Sequence, residues 1–483
     1  MNLKKISNTK KKKEFLKIFS KNLKKDYLIQ GKNKIKGKRL LSYICQICIF
    51  LKKKKLEKKI IIIQIEDRLH ALIFYLAAIF SNTTICPLDP KLPISRVNRI
   101  KKLINAAKII KKINLKETTI INYNLLNLVN HEFLITFSSG TSGNPKGIIH
   151  DSNNILGISF AYSKLVNFNR KTRILHCLPV YHMTGIINTF FSCLCGMSQI
   201  FIIDSFDKKN VFKIWKKISK HKINLVYLVP SIYSMITNFS QSNTFSIIKK
   251  NKIDFYSTSN NLYPNIRKTF FKKFKKKIRS CYGITEMGGP ITNEINPSLK
   301  NDSVGKLING CKLKIKKVNG KKNLFFKSSY KCKYLIINNK IRNIQTDISG
   351  YFNSQDVGFI EKKNIIITGR EKDILKKKGE FIYLRDIENV VLKCNFIEEV
   401  AAVSLEDELS DEKLHIYLLM NKKRFSNRNI KYLLKTIEQD LYKTEKPDKI
   451  IFLRKMPKTP SGKIIKHSLL STINENKIKE IKL

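Results

Sequence analysis

The sequence contains few glycines and prolines, and it lacks a long uninterrupted apolar run. Among 483 residues there are 19 Gly and 12 Pro, too few for a collagen-like or linker-dominated chain. Apolar stretches such as Leu69–Phe80 are shorter than the roughly 18 residues that a membrane-spanning helix needs. Hydrophobic residues make up 42% of the chain, which excludes a wholly disordered protein. We therefore expect about three units of folding, or one large and one small domain, and no transmembrane segment.

Acidic residues are also scarce. The chain has 36 Asp+Glu against 94 Lys+Arg, a formal net charge of +58. Such a surplus is typical of nucleic-acid-binding proteins. Here the lysines are spread along the whole chain and Lys, Asn, Ile and Phe are enriched together, as AT-rich codon usage would produce. We predict a cytoplasmic protein with no specific nucleic-acid partner, leave open a weak contact with an anionic membrane surface, and make no prediction of oligomeric state.

The ten cysteines are scattered singly and form no recognisable framework. Cys45 and Cys48 have the spacing of a CxxC motif, but no second pair lies nearby, and Cys193 and Cys195 also lack partners. This pattern favours buried free thiols over disulfides or a metal site.

Strand-like and helix-like segments alternate along most of the chain. Ile60–Ile65 is a β-branched run typical of a buried parallel strand, and a helix-like stretch follows from His70 to Phe80. The alternation predicts an α/β fold with doubly wound sheets in a large, multi-layer N-terminal domain. Up to Lys55 we expect helices with a basic face. Further predicted strands are Phe133–Phe137, Arg173–Leu178, Leu225–Val229 and Ile253–Ser257.

The pattern changes between Gly358 and Ile374, where short β-runs lead into a charged turn. Beyond this turn the order of helix and strand predicts a small α+β unit. We therefore place a boundary near Lys372. Residues 1–371 would form the large domain, and residues 372–483 a small, mobile C-terminal domain of ordinary size.

A Ser/Gly-rich loop follows the strand Phe133–Phe137. Glycines allow backbone N–H groups to turn toward an anion, hydroxyls add donors, and a lysine supplies a point charge for phosphate. The loop is not a Walker A motif, because Pro-Lys-Gly stands where Gly-Lys-Ser/Thr would be needed. The candidate ATP-binding residues are Ser138, Ser139, Gly140, Thr141, Ser142, Gly143 and Lys146.

Three further segments carry candidate chemistry. In Tyr282–Glu286 an aromatic ring followed by Gly283 could lie against a base, while Thr285 and Glu286 could hold an oxygen and Mg²⁺. Asp356, predicted in a loop before a strand, could accept both hydroxyls of a ribose, with Arg370 as a neighbouring contact. Lys463 sits in a Pro-Ser-Gly-Lys segment at the end of the last expected ordered stretch.

Together and in this order, these segments resemble the adenylate-forming superfamily of acyl- and aryl-CoA synthetases, adenylation domains and beetle luciferase. The resemblance extends from about Ile60 to Lys466. Leu178–Gly185, with Tyr181 and His182, resembles the family's aromatic-His substrate gate, and Cys86–Arg96 its Pro-Leu-Asp-Pro segment.

The resemblance implies a two-step ligase that uses ATP, Mg²⁺ and coenzyme A or the phosphopantetheine of a carrier protein. A small-molecule carboxylate would be converted to an acyl-adenylate and then transferred to the thiol. Catalytic roles are implied for Lys463, Thr285 and His182, ATP or AMP binding for Tyr282, Gly283, Thr285, Asp356 and Arg370, and metal binding for Glu286. Lys372 would be the hinge, and Gly379 would line the thiol tunnel.

His182 stands where amino-acid adenylation domains normally carry an Asp, which favours an acyl or aryl acid. Loading of a carrier protein and a luciferase-like oxidation remain alternatives, as does a basic RNA- or membrane-associated protein on a decayed ligase fold.

The chain departs from the family pattern at two turns. Thr258–Leu262 replaces a Gly-Gly-Ala-Pro-Leu turn beside the acyl pocket, and Ser354-Gln355-Asp356 replaces Thr-Gly-Asp. Gly288 and Gly289, after the Tyr282 motif, predict room in that pocket, which permits a bulky chain but does not require one.

Overall fold

The computed structural model describes most of the chain, namely residues 3–138, 146–204, 206, 211–239, 244–299, 302–337, 340–377, 380–407, 410–421, 424–459, 463–471 and 476–482. The α-helices are α1 Leu3–Ser20, α2 Gly37–Lys53, α3 Arg68–Ile79, α4 Ile94–Leu103, α5 Ser152–Val166, α6 Ser192–Cys195, α7 Ile214–Lys220, α8 Pro230–Phe239, α9 Thr244–Asn251, α10 Pro264–Phe274, α11 Leu384–Val391, α12 Asn427–Asp440 and α13 Lys466–Ser471. A π-helix covers Thr184–Phe191, and 3₁₀ turns include Thr285–Met287 and Glu371–Asp373.

The β-strands of the N-terminal part are β1 Asp26–Gln30, β2 Asn33–Lys36, β3 Ile60–Ile63, β4 Thr84–Pro87, β5 Lys108–Ile110, β6 Glu132–Ser138, β7 Lys146–Asp151, β8 Arg173–His176, β9 Gln199–Ile202, β10 Leu225–Leu228, β11 Asp254–Ser257 and β12 Ile278–Ser280. The middle of the chain forms β13 Gly283–Ile284, β14 Gly289–Pro290, β15 Thr292–Asn293, β16 Ser303–Leu307, β17 Cys311–Val318, β18 Lys321–Ser328, β19 Tyr334–Ile337, β20 Lys340–Asn343, β21 Phe352–Glu361 and β22 Asn364–Arg370. The C-terminal strands are β23 Ile374–Lys377, β24 Glu380–Tyr383, β25 Ile397–Asp407, β26 Ser410–Met420, β27 Lys449–Leu453 and β28 Lys477–Lys482.

Two seven-stranded sheets form the body of the large domain. The first has the order β12-β11-β10-β8-β9-β1-β2, and the second has the order β20-β19-β7-β6-β4-β3-β5. In the first sheet β12 through β1 are parallel, and in the second β5, β3, β4 and β6 are parallel. Parallel strands need helical crossovers, so helices cover both faces of these strands.

The side chains of strand β3 belong to two different hydrophobic cores. Side chains alternate across a strand, so Ile61 and Ile63 face the core between the two sheets, while Ile62 packs outward with Val97 of α4. The core between the sheets also contains residues of α2, α3 and α5, and a separate core lies between the outer face of the first sheet and α7, α8 and α10. The result is the multi-layer, doubly wound domain predicted from the sequence.

A third sheet, in the order β15-β16-β22-β21-β18-β17, is antiparallel and carries several candidate site residues. The small C-terminal domain has its own sheet, β25-β26-β27-β28, with α11 and α12 packed on one face. The predicted fold class, a large α/β domain plus a small α+β domain, is confirmed. The exact boundary at Lys372 stays a prediction.

Three sequence predictions of secondary structure were wrong. The segment up to Lys55 is not entirely helical, because β1 and β2 form a hairpin whose first strand extends the first sheet. Asp356 lies inside β21 rather than in a loop before a strand. The ordered chain also continues beyond Lys463 into α13 and the edge strand β28, which pairs with β27.

All ten cysteines are free, and eight of them are buried, as predicted. Among the described residues, every helix is too short or too polar to cross a lipid bilayer.

Candidate active site

Tyr282, Asp356 and Arg370 form a hydrogen-bonded group that we call the nucleotide corner. Asp356 and Arg370 are directly paired across β21 and β22, and Arg370 Nε donates to Asp356 Oδ1 at 3.0 Å. The Tyr282 hydroxyl donates to the other carboxylate oxygen, Oδ2. Antiparallel pairing thus sets the relative position of Asp356 and Arg370. Tyr282 reaches them from the segment that follows β12, at the edge of the first sheet.

The partners of the carboxylate in this corner are a guanidinium and a hydroxyl. Asp356 is only 4% exposed, so its carboxylate needs close hydrogen-bond partners. The Asp356 carboxylate raises the pKa of Arg370, and burial together with the same carboxylate raises the pKa of Tyr282. The corner therefore holds a charged acceptor beside an aromatic ring, and a ribose hydroxyl pair could replace the tyrosine hydroxyl as its donor.

Lys146 and Glu286 form the second charged group. Lys146 Nζ lies 3.1 Å from Glu286 Oε1, and both side chains are largely shielded from solvent. Lys146 begins β7, and Glu286 lies in the 3₁₀ turn Thr285–Met287, whose first residue is the candidate Thr285. The two charges are in direct contact and neutralise each other. Among the described residues, no group of three or more His, Cys, Asp or Glu side chains could hold a metal ion. A magnesium ion would therefore depend on Glu286 together with substrate phosphates, an arrangement that suits Mg²⁺.

Most of the predicted phosphate loop lies outside the described residues, namely Ser139, Gly140, Thr141, Ser142 and Gly143. The ends of the loop are described. Ser138 ends β6 and pairs with Lys146 at the start of β7. The loop therefore connects two adjacent antiparallel strands and returns the chain at Lys146, beside Glu286.

The predicted gate segment lies at the end of β8. The Tyr181 hydroxyl donates to Asp89 Oδ2 at 2.9 Å, which ties the gate to the Pro-Leu-Asp-Pro segment. Burial lowers the pKa of His182 to about 4, although the nearby Asp89 opposes this shift. His182 Nε2 is buried and has no hydrogen-bond partner in the described part of the chain. A neutral imidazole with an unsatisfied nitrogen is suited to contact a substrate oxygen.

Lys463 lies in what we call the lysine loop, of which Lys458, Thr459 and Lys463 are described and residues 460–462 lie outside the described residues. Thr459 N donates to Lys463 O at 2.8 Å, and Lys463 N donates to the Thr459 hydroxyl at 3.1 Å. Lys463 is exposed. Three residues later, Lys466 Nζ lies 3.1 Å from Glu388 and 3.7 Å from Asp373, so the loop is anchored next to the predicted hinge.

The backbone of Lys372, the predicted hinge, lies in the 3₁₀ turn Glu371–Asp373. Gly379, predicted to line the thiol tunnel, lies outside the described residues.

Sequence reasoning missed a group of contacts between the two domains. Arg385 of α11 lies 3.0 Å from Asp302 of the large domain, and both side chains are largely buried. The Tyr263 hydroxyl donates to Glu388 at 2.6 Å, and Lys466 contacts the same carboxylate. These residues occur singly in the sequence and far apart, so no motif marked them.

Of the two glycines after the Tyr282 motif, Gly288 is closely packed and Gly289 is not. A Cβ at Gly288 would lie 2.6 Å from the Tyr330 carbonyl oxygen, whereas one at Gly289 would make ordinary van der Waals contact with Met183 and Ile187, at 3.6 Å and more. Gly288 and Gly289 also have φ angles of +101° and +120°. Gly288 therefore serves close backbone packing, and both positions have the positive φ angle that glycine adopts readily.

Comparisons with known proteins agree with this geometry. Two family models match the chain, "AMP-binding enzyme" over residues 19–324 and "AMP-binding enzyme C-terminal domain" over residues 386–463. The first match begins well before Ile60, so the resemblance starts earlier than predicted. A similar sequence is the long-chain-fatty-acid–CoA ligase FadD13 of Mycobacterium tuberculosis, 23% identical over 69% of this chain. That alignment spans 66% of the mycobacterial protein, slightly less than two thirds of its length.

Solved structures show the same fold at low identity. The anthranilate CoA ligase AuaEII in complex with anthranoyl-AMP superposes with a TM-score of 0.81 at 15% identity, covering 95% of this chain and 97% of that one. The McyG A-PCP protein complexed with phenylalanyl-adenylate superposes with a TM-score of 0.79 at 16% identity, covering 95% and 82%. The large α/β domain, the small C-terminal domain and both family matches lead to one conclusion: the chain belongs to the family of AMP-binding enzymes.

Proposed function

We propose that the protein is an AMP-forming acid–thiol ligase that converts a small-molecule carboxylate to its acyl-adenylate and transfers the acyl group to coenzyme A. The observation that carries the proposal is that one short segment, Tyr282–Glu286, contributes to two complementary groups. The nucleotide corner offers a carboxylate for a ribose beside an aromatic ring, and Lys146 with Glu286 offers a cation and a metal ligand for phosphates.

In the first step a carboxylate oxygen of the substrate would attack the α-phosphorus of ATP. The new bond joins that oxygen to phosphorus, the bond between the α-phosphorus and the bridging oxygen breaks, and pyrophosphate leaves. Lys463 would stabilise the negative charge that develops on the reacting oxygens. His182 would orient the carboxylate through its neutral ring, and Thr285 would contact the phosphate oxygens.

Magnesium, when bound with ATP, would neutralise phosphate charge during this transfer. Glu286 would hold the ion, and Lys146 would then leave Glu286 for the β- and γ-phosphates. The hydroxyl and backbone groups of residues 138–143 would complete the phosphate site.

In the second step the thiol sulfur would attack the acyl carbon, and AMP would leave with the bonding pair of the broken carbon–oxygen bond. For this step the small domain, residues 372–483, would rotate about Lys372, move Lys463 away and bring Gly379 to the thiol tunnel. One small domain would thus serve both half-reactions. The proposal includes a cytoplasmic location.

The acceptor has one competing candidate, a phosphopantetheine-bearing carrier protein. It is favoured by the likeness in fold to McyG, whose solved form joins an adenylating domain to a PCP. Coenzyme A is favoured by the names of the related ligases.

The test is ATP–pyrophosphate exchange with pools of short and long fatty acids, aryl acids and amino acids. We expect exchange with one pool, and thioester formation when coenzyme A is added. Formation only with a phosphopantetheinylated carrier would select the competing acceptor. A folded protein that fails to bind MgATP would contradict the proposal, and a steep salt dependence of RNA binding would then support the decayed-fold alternative.

A further inference from the structure

Arg68, the first residue of α3, lies where both the helix and its surroundings oppose a positive charge. The helix begins after Asp67, whose carboxylate accepts a hydrogen bond from the His70 N–H. A helix N-terminus carries a partial positive charge, so a guanidinium in the first turn is disfavoured. Burial also lowers the pKa of Arg68, because the charged form loses solvent. Residues that break such local rules are characteristic of functional sites, where other contacts offset the cost.

The contacts of the Arg68 guanidinium lead to both ends of the gate segment, Leu178–Gly185. Arg68 Nη2 donates to the Leu178 carbonyl oxygen at 2.6 Å, and the same nitrogen lies 3.1 Å from His176 Nδ1. The other ring nitrogen of His176, Nε2, lies 3.0 Å from the Gly185 carbonyl oxygen. Arg68 therefore contacts the first residue of the segment directly and the last residue through His176.

The partners of His176 determine the form of its ring. A guanidinium can only donate hydrogen bonds, so Nδ1 accepts from Arg68 and Nε2 carries the hydrogen that is donated to Gly185. His176 has no exposed surface, and burial together with the Arg68 charge lowers its pKa to about 3. The ring is therefore neutral at ordinary pH and has the one acceptor and the one donor that its two contacts require.

The turn between these two ends carries His182. The His182 N–H donates to the Pro179 carbonyl at 3.3 Å, and the Ile186 N–H donates to the His182 carbonyl at 2.9 Å. A Cβ at Gly185 would lie 2.1 Å from the Pro179 carbonyl oxygen, so the two arms of the turn are in close contact. The backbone of His182 is thus connected to residues at both ends of the segment, and a shift of either end would move it.

We propose that Arg68 and His176 are positioning residues for the gate, which hold its two ends so that the His182 ring meets the substrate carboxylate during adenylation. This inference rests on the proposed function. Both residues act through His182 and do not touch the reacting groups. His182 Nε2 has no hydrogen-bond partner in the described part of the chain, so the backbone and packing orient this nitrogen. Arg68 and His176 are 108 positions apart, and no motif marked them.

The first experiment measures pyrophosphate exchange with the acid that the pools identify. Arg68→Met keeps a long side chain and removes the guanidinium. We expect kcat/KM for the acid to fall by about 100-fold, because a small misplacement of an orienting group is costly. KM for MgATP should stay within about twofold, since Arg68 is outside the nucleotide corner and the Lys146–Glu286 pair. Arg342→Met, at an exposed arginine of the edge strand β20, is the control and should match wild type.

Conservative variants test each contact separately and replace Arg68→Met if that protein does not fold. Arg68→Lys keeps the charge and a donor for one of the two acceptors. In His176→Asn the amide oxygen can still accept from Arg68, and in His176→Gln the amide nitrogen can still donate to Gly185. Each variant retains part of the connection, so we expect kcat/KM for the acid to fall by only about tenfold.

A second measurement needs no substrate. Hydrogen–deuterium exchange followed by mass spectrometry compares peptides that cover residues 178–186 with peptides from β21 and β22 in the same sample. In Arg68→Met we expect exchange of the gate peptides to be faster by about tenfold or more, because the opening of this segment is no longer opposed by the guanidinium. The peptides from β21 and β22 should exchange as in wild type.

The outcomes separate this inference from the proposed function. An unchanged kcat/KM for the acid in Arg68→Met, or an equal rise in KM for the acid and for MgATP, overturns the positioning role and leaves the ligase proposal intact. Wild-type exchange of the gate peptides in Arg68→Met also overturns it. Absence of pyrophosphate exchange with every acid in the wild-type protein contradicts the proposed function, and with it the orientation of a carboxylate by His182.

Discussion

The nucleotide corner and the lysine loop are built in opposite ways, although the proposed reaction needs both. In the corner, the side chains are hydrogen-bonded to one another. Asp356 accepts hydrogen bonds from Tyr282 and Arg370, and strand pairing places the carboxylate opposite the guanidinium. In the lysine loop the backbone is closed on itself, and Lys463 projects to the surface. A group prearranged in the large domain is suited to bind the part of the substrate that stays in place. A lysine carried by the other domain can be withdrawn after its step.

The largest expected effect comes from removing the lysine of the loop. Lys463→Ala should lower the rate of adenylation by about two to three orders of magnitude, because it removes the charge that stabilises the transferring oxygens. Thioester formation from preformed acyl-adenylate should be almost unchanged. The two half-reactions are measured separately, by pyrophosphate exchange and by thioester release. Lys458→Ala, in the same loop, is the control. Equal losses in both half-reactions would contradict the withdrawal of Lys463 before thioester formation.

The contacts between the domains should decide how easily the small domain moves. Asp302→Asn leaves the Arg385 guanidinium buried without its carboxylate and should destabilise the docked arrangement by about 3 kcal/mol. The connecting segment around Glu371–Asp373 should then be cut faster by a protease. Tyr263→Phe, which removes only the hydrogen bond to Glu388, should have a smaller effect. An unchanged cleavage rate in Asp302→Asn would mean that this ion pair does not restrain the small domain.

A smaller effect is expected within the prearranged corner. Tyr282→Phe retains the ring and loses the hydroxyl that donates to Asp356. Before ATP binds, the Asp356 carboxylate would therefore have one hydrogen-bond donor fewer. We expect KM for ATP to change by roughly tenfold or less, since one hydrogen bond to a charged group is involved and a ribose can replace it. Phe326→Leu, which alters a ring near Tyr282 but no hydrogen bond, is the control. A complete loss of ATP binding in Tyr282→Phe would show that the hydroxyl itself contacts the nucleotide.

A buried lysine in the large domain predicts a pH dependence of stability. Lys12 of α1 is fully buried and donates to the Val129 carbonyl at 2.7 Å and lies 3.0 Å from His131 Nδ1. Burial lowers its pKa to about 7, below the ordinary lysine value of 10.5. Between these two pH values the unfolded chain binds more protons than the folded one, so this residue makes the free energy of unfolding rise with pH.

Lys12→Met should flatten that rise between about pH 7 and pH 10 in urea unfolding curves. Pyrophosphate exchange at fixed pH should be unaffected, because Lys12 lies outside both the corner and the loop. Lys13→Met is the matched control, since Lys13 is its exposed neighbour on α1. The same slope in Lys12→Met and wild type would contradict the predicted titration.

The sequence predicted the fold class because its main signals are local. Runs such as Ile60–Ile63 in parallel strands, and the order of helix and strand beyond Lys372, follow from side-chain periodicity alone. The antiparallel strand β21 was missed because Asn353, Ser354, Gln355 and Asp356 interrupt any apolar alternation at its start. The contacts of Asp302 and Tyr263 were missed for another reason. They join residues more than 80 positions apart, and no local pattern encodes such pairs.

The two segments that depart from the family pattern contain residues with positive φ angles. Both lack a glycine of that pattern, and Ser259 and Gln355 have φ angles of +73° and +60°, in the left-handed region that favours glycine. Each non-glycine residue there carries a cost of about 1–2 kcal/mol, which the surrounding structure offsets.

This geometry predicts the smallest effect. Ser259→Gly and Gln355→Gly should each relieve the left-handed strain but add freedom to the unfolded chain, so a net stabilisation of no more than about 1 kcal/mol is expected. Gln355→Val should be destabilising, because a β-branched residue tolerates positive φ poorly. Urea unfolding measures these changes in stability. KM for ATP measures any effect on the nucleotide corner, since Gln355 directly precedes Asp356. A gain in stability without a change in KM would mean that the corner is positioned by its strand pairing with Arg370. A change in KM in Gln355→Gly would instead mean that the left-handed backbone conformation at Gln355, within β21, positions the carboxylate.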